Sequence, residues 1–548
     1  MRDTPAAKCF LAADPFTAAM FSTSILCVAA AATTSPISRI SARARWFVDE
    51  HGRVRFFRGF NDVPNDGKKN ESTGNFTGSN YLPRILTKNE TRLATLVDEY
   101  GFNCFRIMAG WAAVNPAPGV MDSKYIAALL NVTRLLARHG AHSILDMHQD
   151  GLSTRFGSSY DGAPRWVVDR TQPRHPYPWP ARANGSLSAE LTEADGQAYG
   201  EIYDDTHGGR TAWSQAWRAF ATTFRLEPSI LAYELINEPW AGDAYHDPAL
   251  LLPGVAGRRS LQPAYDAIAA AIREVDDATM LMYEPVTWGM VVGRNGSDVD
   301  RMLSSGFTHV PGGAGFANRS AFSFHYYCWF GQGGDHGAPY PPLRRAACDS
   351  NLGLGRAVFD AVDETITRLG GSSMLTEFGG AAFTPDASRP KSTATLEAEW
   401  VLHEADARMQ SWTFWDLSHF FDYPAFRPGC THGDSDCRSL KYMSRPYAQA
   451  VAGTPLAMHF DTVGGAFTVC FAVDPLIYEP TVIFLPPHRY PAGYDVAIQP
   501  AGTMQWTPCG AARPNTICVS SVLFAGTSDK AREQTNVTVL VSRGAPLG

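Results

Sequence analysis

Several things are scarce in this 548-residue chain. Charged residues make up only 18% of it and the formal net charge is −7. No run of lysine or arginine gathers anywhere, so nothing tracks a phosphate backbone and nucleic acid is excluded as a partner. Ten cysteines are present, yet none has the CxxC or Cys/His spacing of a zinc site, and no structural metal is expected. Internal repeats, low-complexity tracts and an apolar C-terminal tail are also missing, which leaves out solenoids, disordered linkers and a lipid anchor. What remains is 45% hydrophobic, with 13 Trp, 20 Tyr and 30 Phe, a globular composition rich in flat apolar surfaces. The length calls for two domains, one large and one small.

The N-terminal stretch "AAMFSTSILCVAAAATTSP" has a short apolar core followed by the small-x-small triplet Ala30-Ala31-Ala32. It reads as a secretory signal over residues 1–32, too short to span a bilayer. The basic residues Arg2 and Lys8 lie well before that core, which leaves open a start at Met20 or a buried helix in place of the signal. Two features agree with secretion. Eight Asn-x-Ser/Thr sequons begin at Asn70, Asn75, Asn89, Asn131, Asn184, Asn295, Asn318 and Asn536, which a lumenal route exposes to glycosylation. Cys328 with Cys348, Cys430 with Cys437, and Cys509 with Cys518 are spaced as loop-closing disulfides. Cys9 and Cys27 leave with the signal, and Cys104, inside an apolar run, is expected to be a buried free thiol. The expected location is secreted or lumenal.

From residue 54, eight short apolar runs alternate with longer helical patterns: "VRFFRGFN", "FNCFRIMAG", "HSILDMHQ", "ILAYELINE", "TMLMYEPVTW", "AFSFHYYCW", "SMLTEFGG" and "QSWTFWDLS". Between them, "YIAALLNVTRLLARHG" and "LQPAYDAIAAAIREVD" repeat apolar residues three and four apart, as covering helices do. Eight alternations predict an α/β fold, a (β/α)8 TIM barrel over 45–453. Beyond "RPYAQAVAGTP" the helical period stops. Short runs broken by Pro and Gly predict a C-terminal antiparallel β-sandwich domain over 454–548.

A TIM barrel gathers its active site at the C-terminal ends of its strands. Those ends carry Arg106, His148, Asn237 with Glu238, Glu284, His325 with Tyr327, Glu377, and Trp415 with Asp416. Two carboxyls about 5 to 5.5 Å apart suit double displacement at a glycosidic carbon with retention of configuration. Glu238 and Glu377, ending the fourth and seventh runs, are the candidate pair. Asn237 beside Glu238 suits a grip on the sugar 2-OH, which makes Glu238 the acid/base and leaves Glu377 as nucleophile; Glu284 is the nearest decoy. Tyr327 is suited to donate to Glu377, Arg106 to add positive charge, and Trp415 to offer a flat face to the sugar ring.

With these residues in place, the barrel from "RFFRGFN" to "SWTFWDLS" resembles family 5 glycoside hydrolases. Two stretches are more specific. "LDMHQDGLSTRFGSSYDGAPRWV" at 145–167 and "ELINEPWAGD" at 234–243 resemble endoglycoceramidases and the related enzymes that cleave glucosylceramide and steryl glucosides. The resemblance implies cleavage of the β-glucosidic bond between a glycan and ceramide. It implies that His148, Asp150, Asn237, Glu238, Tyr327, Glu377 and Trp415 line the glucose subsite with His325 and Trp166 as near neighbours, and that no metal or organic cofactor is needed. It also implies a small C-terminal β-sandwich. The partner is then a glycosphingolipid or another amphiphilic β-glucoside, met with transient contact at a membrane surface. One departure is the long polar loop "NDVPNDGKKNESTGNFTGSNYLP", where family members place a glucose-contacting lysine; Lys68 and Lys69 are loose counterparts. Trp179, Trp329 and Phe330 are candidates for the lipid entrance. The alternatives are a glucosylceramidase, a steryl-β-glucosidase, another β-glucosidase or endoglucanase of the family, and, from another class, a noncatalytic glycolipid-binding barrel. The oligomeric state is not legible.

Overall fold

Each apolar run forms a parallel strand because both of its faces are covered, one by the barrel interior and one by helices. In the computed structural model the strands are β1 (Arg58–Asp62), β2 (Cys104–Ala109), β3 (His142–Met147), β4 (Ile230–Glu234), β5 (Met280–Tyr283), β6 (Ser320–His325), β7 (Ser372–Glu377) and β8 (Ser411–Phe414). They pair in parallel and close into an eight-stranded barrel in the order β7-β8-β1-β2-β3-β4-β5-β6, so the expected TIM barrel is what the chain forms. The structure describes residues 37–64, 81–83, 90–157, 162–180, 189–286, 305–327, 354–379, 393–417, 440–522 and 535–544. The expected signal segment, Cys9 and Cys27, Lys68 and Lys69, Trp329 and Phe330, five of the sequons (Asn70, Asn75, Asn89, Asn184 and Asn295), and the pairs Cys328 with Cys348 and Cys430 with Cys437 lie outside these residues.

The covering helices follow the apolar period. In α1 (Ser123–Arg138) the buried positions are Tyr125, Ile126, Leu129, Val132, Thr133 and Leu136, three or four apart. Asp122 caps its start by accepting from the main-chain N–H of Lys124 and Tyr125 at 2.9 and 3.0 Å, which satisfies two donors that no helical carbonyl reaches. Further helices are α2 (Glu193–Tyr203), α3 (Gly209–Phe224), α4 (Gln262–Arg273), α5 (Leu354–Leu369) and α6 (Thr393–Arg408); α4 follows directly on a π-helical turn, Gly257–Leu261, with Pro263 at its second position.

The first run divides. Val54–Arg55 pairs antiparallel with Trp46–Val48, which pairs with Ser41–Arg43, and only Arg58–Asp62 enters the barrel. Phe47 and Phe57 join Ile40, Cys104, Ile144, Leu231, Met280, Ala321 and Met374 in an apolar cluster toward the N-terminal ends of the strands. Cys104 is a buried free thiol there, as expected. Gly59 is required beside it, because a Cβ at that position would lie 1.6 Å from the Cys104 carbonyl oxygen.

His142, the first residue of β3, is buried in the same region against the edge of Phe57. Burial first, then the charge of Arg55, depresses its pKa from 6.5 to about 3. A histidine kept neutral in the fold contributes stability that is present above pH 6.5 and lost as pH falls toward 3. By pH 5 the loss is about 2 kcal/mol, at about 1.36 kcal/mol per pH unit. Urea unfolding of wild type and His142→Leu at pH 7 and pH 5 is expected to show the acid penalty in wild type alone; an equal penalty in both would remove His142 as its source.

A second compact unit begins at Pro446, so that β9 (Tyr447–Val451) belongs to it and the expected boundary at Gly453 lies one strand further on. Its strands are β10 (Gly453–Phe460), β11 (Phe467–Val473), β12 (Thr481–Phe484), β13 (Tyr494–Gln499), β14 (Met504–Pro508), β15 (Thr516–Ser521) and β16 (Asn536–Arg543). β9, β12, β15 and β14 pair antiparallel in that order, and β10, β11, β16 and β13 form a second antiparallel sheet. On β16 the alternate residues Val537, Val539 and Val541 are buried, the period-two pattern of a half-covered strand, whereas β11 is buried continuously from Val469 to Ala472. A Cys509–Cys518 disulfide closes the β14–β15 hairpin, as expected.

Candidate active site

Successive strand residues face opposite sides, so residues two apart share the barrel interior. One layer above the apolar cluster the interior turns polar. Cys104, Ile144 and Ala232 are followed two residues on by Arg106, Asp146 and Glu234, all three wholly buried. Arg106 organises this layer. Its Nε meets Glu234 Oε2 at 2.5 Å, its Nη1 meets Asn61 Oδ1 at 2.9 Å and Glu377 Oε1 at 2.5 Å, and its Nη2 meets Asn237 Oδ1 at 2.8 Å and Asp146 Oδ2 at 3.1 Å. Ser323 and Thr376 extend the network, with Ser323 donating to Glu234. Burial raises the proton affinity of Glu234, but Arg106, Ser323 and His325 outweigh it and hold the carboxyl below its ordinary range. A buried guanidinium is tolerable only with this many acceptors.

Beyond Glu234 the chain leaves the ladder. Leu235 N–H still donates to Met282 O, and Trp213 and Trp217 donate to Leu235 O. Glu238 then takes a left-handed backbone with φ of +40°, sparsely populated for a residue with a Cβ and costing about 1–2 kcal/mol. Gln149 pins this turn. Its Nε2 donates to Asn237 O and Glu238 O at 2.7 and 2.9 Å, while its Oε1 accepts from Leu152 N–H and the Tyr199 hydroxyl, each at 2.6 Å. Gln149→Ala leaves these groups unpaired and is expected to cost about 1–3 kcal/mol, read by urea unfolding, and to lower kcat by freeing Glu238. A variant with normal kcat would show that the turn holds without Gln149.

Glu238 and Glu377 face one another. One carboxyl oxygen of each and a ring nitrogen of His325 all lie within 4.8 Å of one another. Glu377, at the end of β7, is 5% exposed. Its Oε1 accepts from Arg106, and its Oε2 accepts from the Tyr327 hydroxyl at 2.9 Å. Burial pushes its pKa up while His325 and Arg106 pull it back, leaving it above the ordinary carboxyl value. Burial, then the charge of Glu377, raises Tyr327 far above its usual value, so the phenol stays a donor. His325 Nδ1 lies 2.8 Å from Glu238 Oε1 and 3.6 Å from Glu377 Oε2. Burial alone would lower its pKa, but Glu284, Glu377 and Glu238 raise it well above 6.5, making it an imidazolium.

Around this pair stand the other expected residues. Asn237 uses Oδ1 on Arg106 and donates from Nδ2 to Gln149 O at 3.0 Å, which leaves one amide hydrogen for a ligand. His148 holds Asp146 Oδ2 at 2.6 Å and stacks on the half-buried Trp415, ring centroids 5.3 Å apart. Burial would lower its pKa, but Asp146 and Asp150 lift it well above 6.5. Asp150 is exposed, 3.6 Å from His148 Nε2. Trp166 is half-buried against the core, and its indole N–H donates to Asn115 O at 3.0 Å rather than to any member of the cluster. Asn61, Asp146, Gln149, Tyr199 and Glu234 were not anticipated. Charged residues at the same parity inside three apolar strands were the available signal.

Chains of known kind share this architecture. Residues 65–420 match the family described as cellulase (glycosyl hydrolase family 5), and residues 445–539 match the glycoside hydrolase family 5 C-terminal domain. An endoglycoceramidase of Cyanea nozakii is 29% identical over 85% of this chain and 88% of its own length. Endoglycoceramidase I of Rhodococcus hoagii is 28% identical over 85% of this chain and 83% of its own. Endo-glycoceramidase II from Rhodococcus sp., solved with ganglioside GM3, superimposes with a TM-score of 0.67 at 24% identity, covering 91% of this chain and 99% of that one. The match across most of the barrel, followed in sequence by the match to its companion domain, makes this chain a member of glycosyl hydrolase family 5.

Proposed function

We propose that the protein is a retaining endo-β-glycosidase that cleaves the bond between glycan and ceramide in glycosphingolipids, with Glu238 as acid/base and Glu377 as nucleophile. The observation that carries the chemistry is the approach of a carboxyl oxygen of each residue to within 4.8 Å across the barrel mouth, from beyond β4 and from the end of β7. That is short of the roughly 6.5–9.5 Å at which an inverting enzyme holds its two carboxyls, and it suits direct attack. Glu377 accepts from Arg106 and Tyr327 on its two oxygens, which favours the anion that attacks the anomeric carbon. As the glycosyl–Glu377 bond forms and the glycosidic C–O bond breaks, Glu238 gives its proton to the departing oxygen. It later takes a proton from the water that hydrolyses the ester. The second hydrogen on Asn237 Nδ2 is available to the sugar 2-OH, and Trp415, stacked on His148, offers a ring face to the sugar's C–H surface.

The lipid half of the reading rests on the endoglycoceramidase relatives, which span most of this chain. Hydrolysis of ganglioside, glucosylceramide, a steryl glucoside and a soluble β-glucan by the purified protein tests it. Release of intact oligosaccharide from ganglioside is expected; activity confined to the glucan would overturn the lipid reading and leave the glycosidase. A secreted or lumenal route for the chain is supported by the Cys509–Cys518 disulfide and by the exposure of the sequon residues Asn131, Asn318 and Asn536. Glycosidase treatment of protein from a eukaryotic host, followed by mass measurement, tests that route.

A further inference from the structure

A third carboxyl lies behind the reacting pair. Glu284 follows β5, is 2% exposed, and reaches the acid/base by two separate paths. Its Oε2 accepts the main-chain N–H of Glu238 at 3.2 Å, inside the strained turn. Its Oε1 lies 3.3 Å from His325 Nε2, and His325 Nδ1 lies 2.8 Å from Glu238 Oε1. Glu284 is anchored in turn, because its carbonyl accepts from the Tyr265 hydroxyl at 3.0 Å. The other charged groups facing it are Arg106, with Nη2 at 3.5 Å, and Glu234.

We propose that Glu284 is a positioning residue for acid/base catalysis, acting on Glu238 through His325 and through the Glu238 main chain. The inference rests on the role given to Glu238 above. With the Glu284 carboxyl at an ion-pair distance of 3.3 Å from Nε2, His325 directs Nδ1–H at Glu238 Oε1. That oxygen accepts the hydrogen bond in both protonation states, which leaves Oε2 to carry the proton that moves. When the proton passes to the glycosidic oxygen, the new carboxylate charge appears against an imidazolium already in place, so the transfer needs little reorganisation. Neither Glu284 nor His325 gives up a proton in this step; the electron pair of the broken C–O bond leaves with the aglycone, and the proton from Glu238 neutralises it. Burial pushes the Glu284 carboxyl up to about 8, against the pull of His325.

A residue that only stabilises the fold slows all substrates alike. One that serves proton donation slows them according to how much their leaving group needs a proton. The experiment compares Glu284→Gln and Glu284→Asp with wild type on an alkyl β-glycoside and on a dinitrophenyl β-glycoside from pH 4 to 9. Rates are normalised to sites labelled by a fluoroglycoside that traps the glycosyl-enzyme. The expected result is a loss of kcat/KM of at least tenfold on the alkyl substrate and less than threefold on the dinitrophenyl substrate. A displaced alkaline limb and partial recovery in Glu284→Asp are expected with it. Equal losses on both substrates, no loss, or no labelled sites in either variant would overturn the proposal. Glu238→Ala separates the two levels: if it keeps wild-type alkyl activity, the acid/base reading fails. If Glu238→Ala behaves as expected and Glu284→Gln does not, only the present inference fails.

Discussion

Glu377→Gln is expected to lower kcat by a factor on the order of 10⁴ or more while leaving the protein folded, which corresponds to about 5.4 kcal/mol at 1.36 kcal/mol per tenfold. The amide has the shape of the carboxyl but no charge, and it does not form the glycosyl ester. The fold should tolerate the change, because Arg106 keeps Glu234 and Asp146 as counter-charges, and Tyr327 and Arg106 still meet one oxygen between them. The measurement is kcat on an aryl β-glycoside alongside a thermal melt. A variant retaining more than about a tenth of wild-type kcat would end the nucleophile assignment, since such a residue accounts for several powers of ten where it is removed. Glu238→Ala gives the complementary pattern, large losses on poor leaving groups and recovery on good ones.

Arg106→Met is the second large effect, and here the loss falls on the fold as well as on the chemistry. Methionine fills much of the volume, but Asp146, Glu234 and Glu377 lose the cation they share, and Asn61 and Asn237 lose a donor. Breaking a buried ion pair from one side costs about 3–5 kcal/mol, a large part of the roughly 5–15 kcal/mol that holds a domain together. The chemical effect has a definite sign. Burial already raises the Glu377 pKa and Arg106 opposes it. Without Arg106 the nucleophile is anionic only at higher pH, so the acid limb of the pH–rate profile moves upward. Urea unfolding and a pH profile check the two halves. An unchanged urea midpoint would mean that the three acids take up protons at no cost to the fold.

The barrel and most of its rim were readable because both rest on local pattern. Strand parity and helix period repeat within each element, and the last residues of eight such runs must share one mouth once the barrel closes. What was not readable depends on depth and on pairing across the barrel. The fourth run looks continuous as far as Glu238, yet its strand ends at Glu234 and the chain bends at Asn237 and Glu238, where it is held by Gln149, which lies 89 residues before Glu238. Glu284 looked like a rival to Glu238 because sequence shows the same Glu-Pro pair at both places; only the fold sets one beneath the other. Trp166 sits in a motif that resembles a sugar site, but its indole turns to the main chain of Asn115. The Glu234 carboxyl is marked in sequence only as a charge inside an apolar strand; its pairing with Arg106, 128 residues away, is set by the closed barrel.

Arg106 on β2 and Glu377 on β7 are 271 residues apart. At roughly 5–20 residues per second of synthesis, that interval takes on the order of 10–60 s, during which the emerging chain carries a guanidinium with its final partners unmade. A half-built barrel therefore cannot dry its own centre, and water has to stay there until the last strands arrive. Closure and the removal of that water become one late, cooperative event. Cutting the chain between β4 and β5 should then yield two fragments that do not hold their shape apart and regain activity only when mixed.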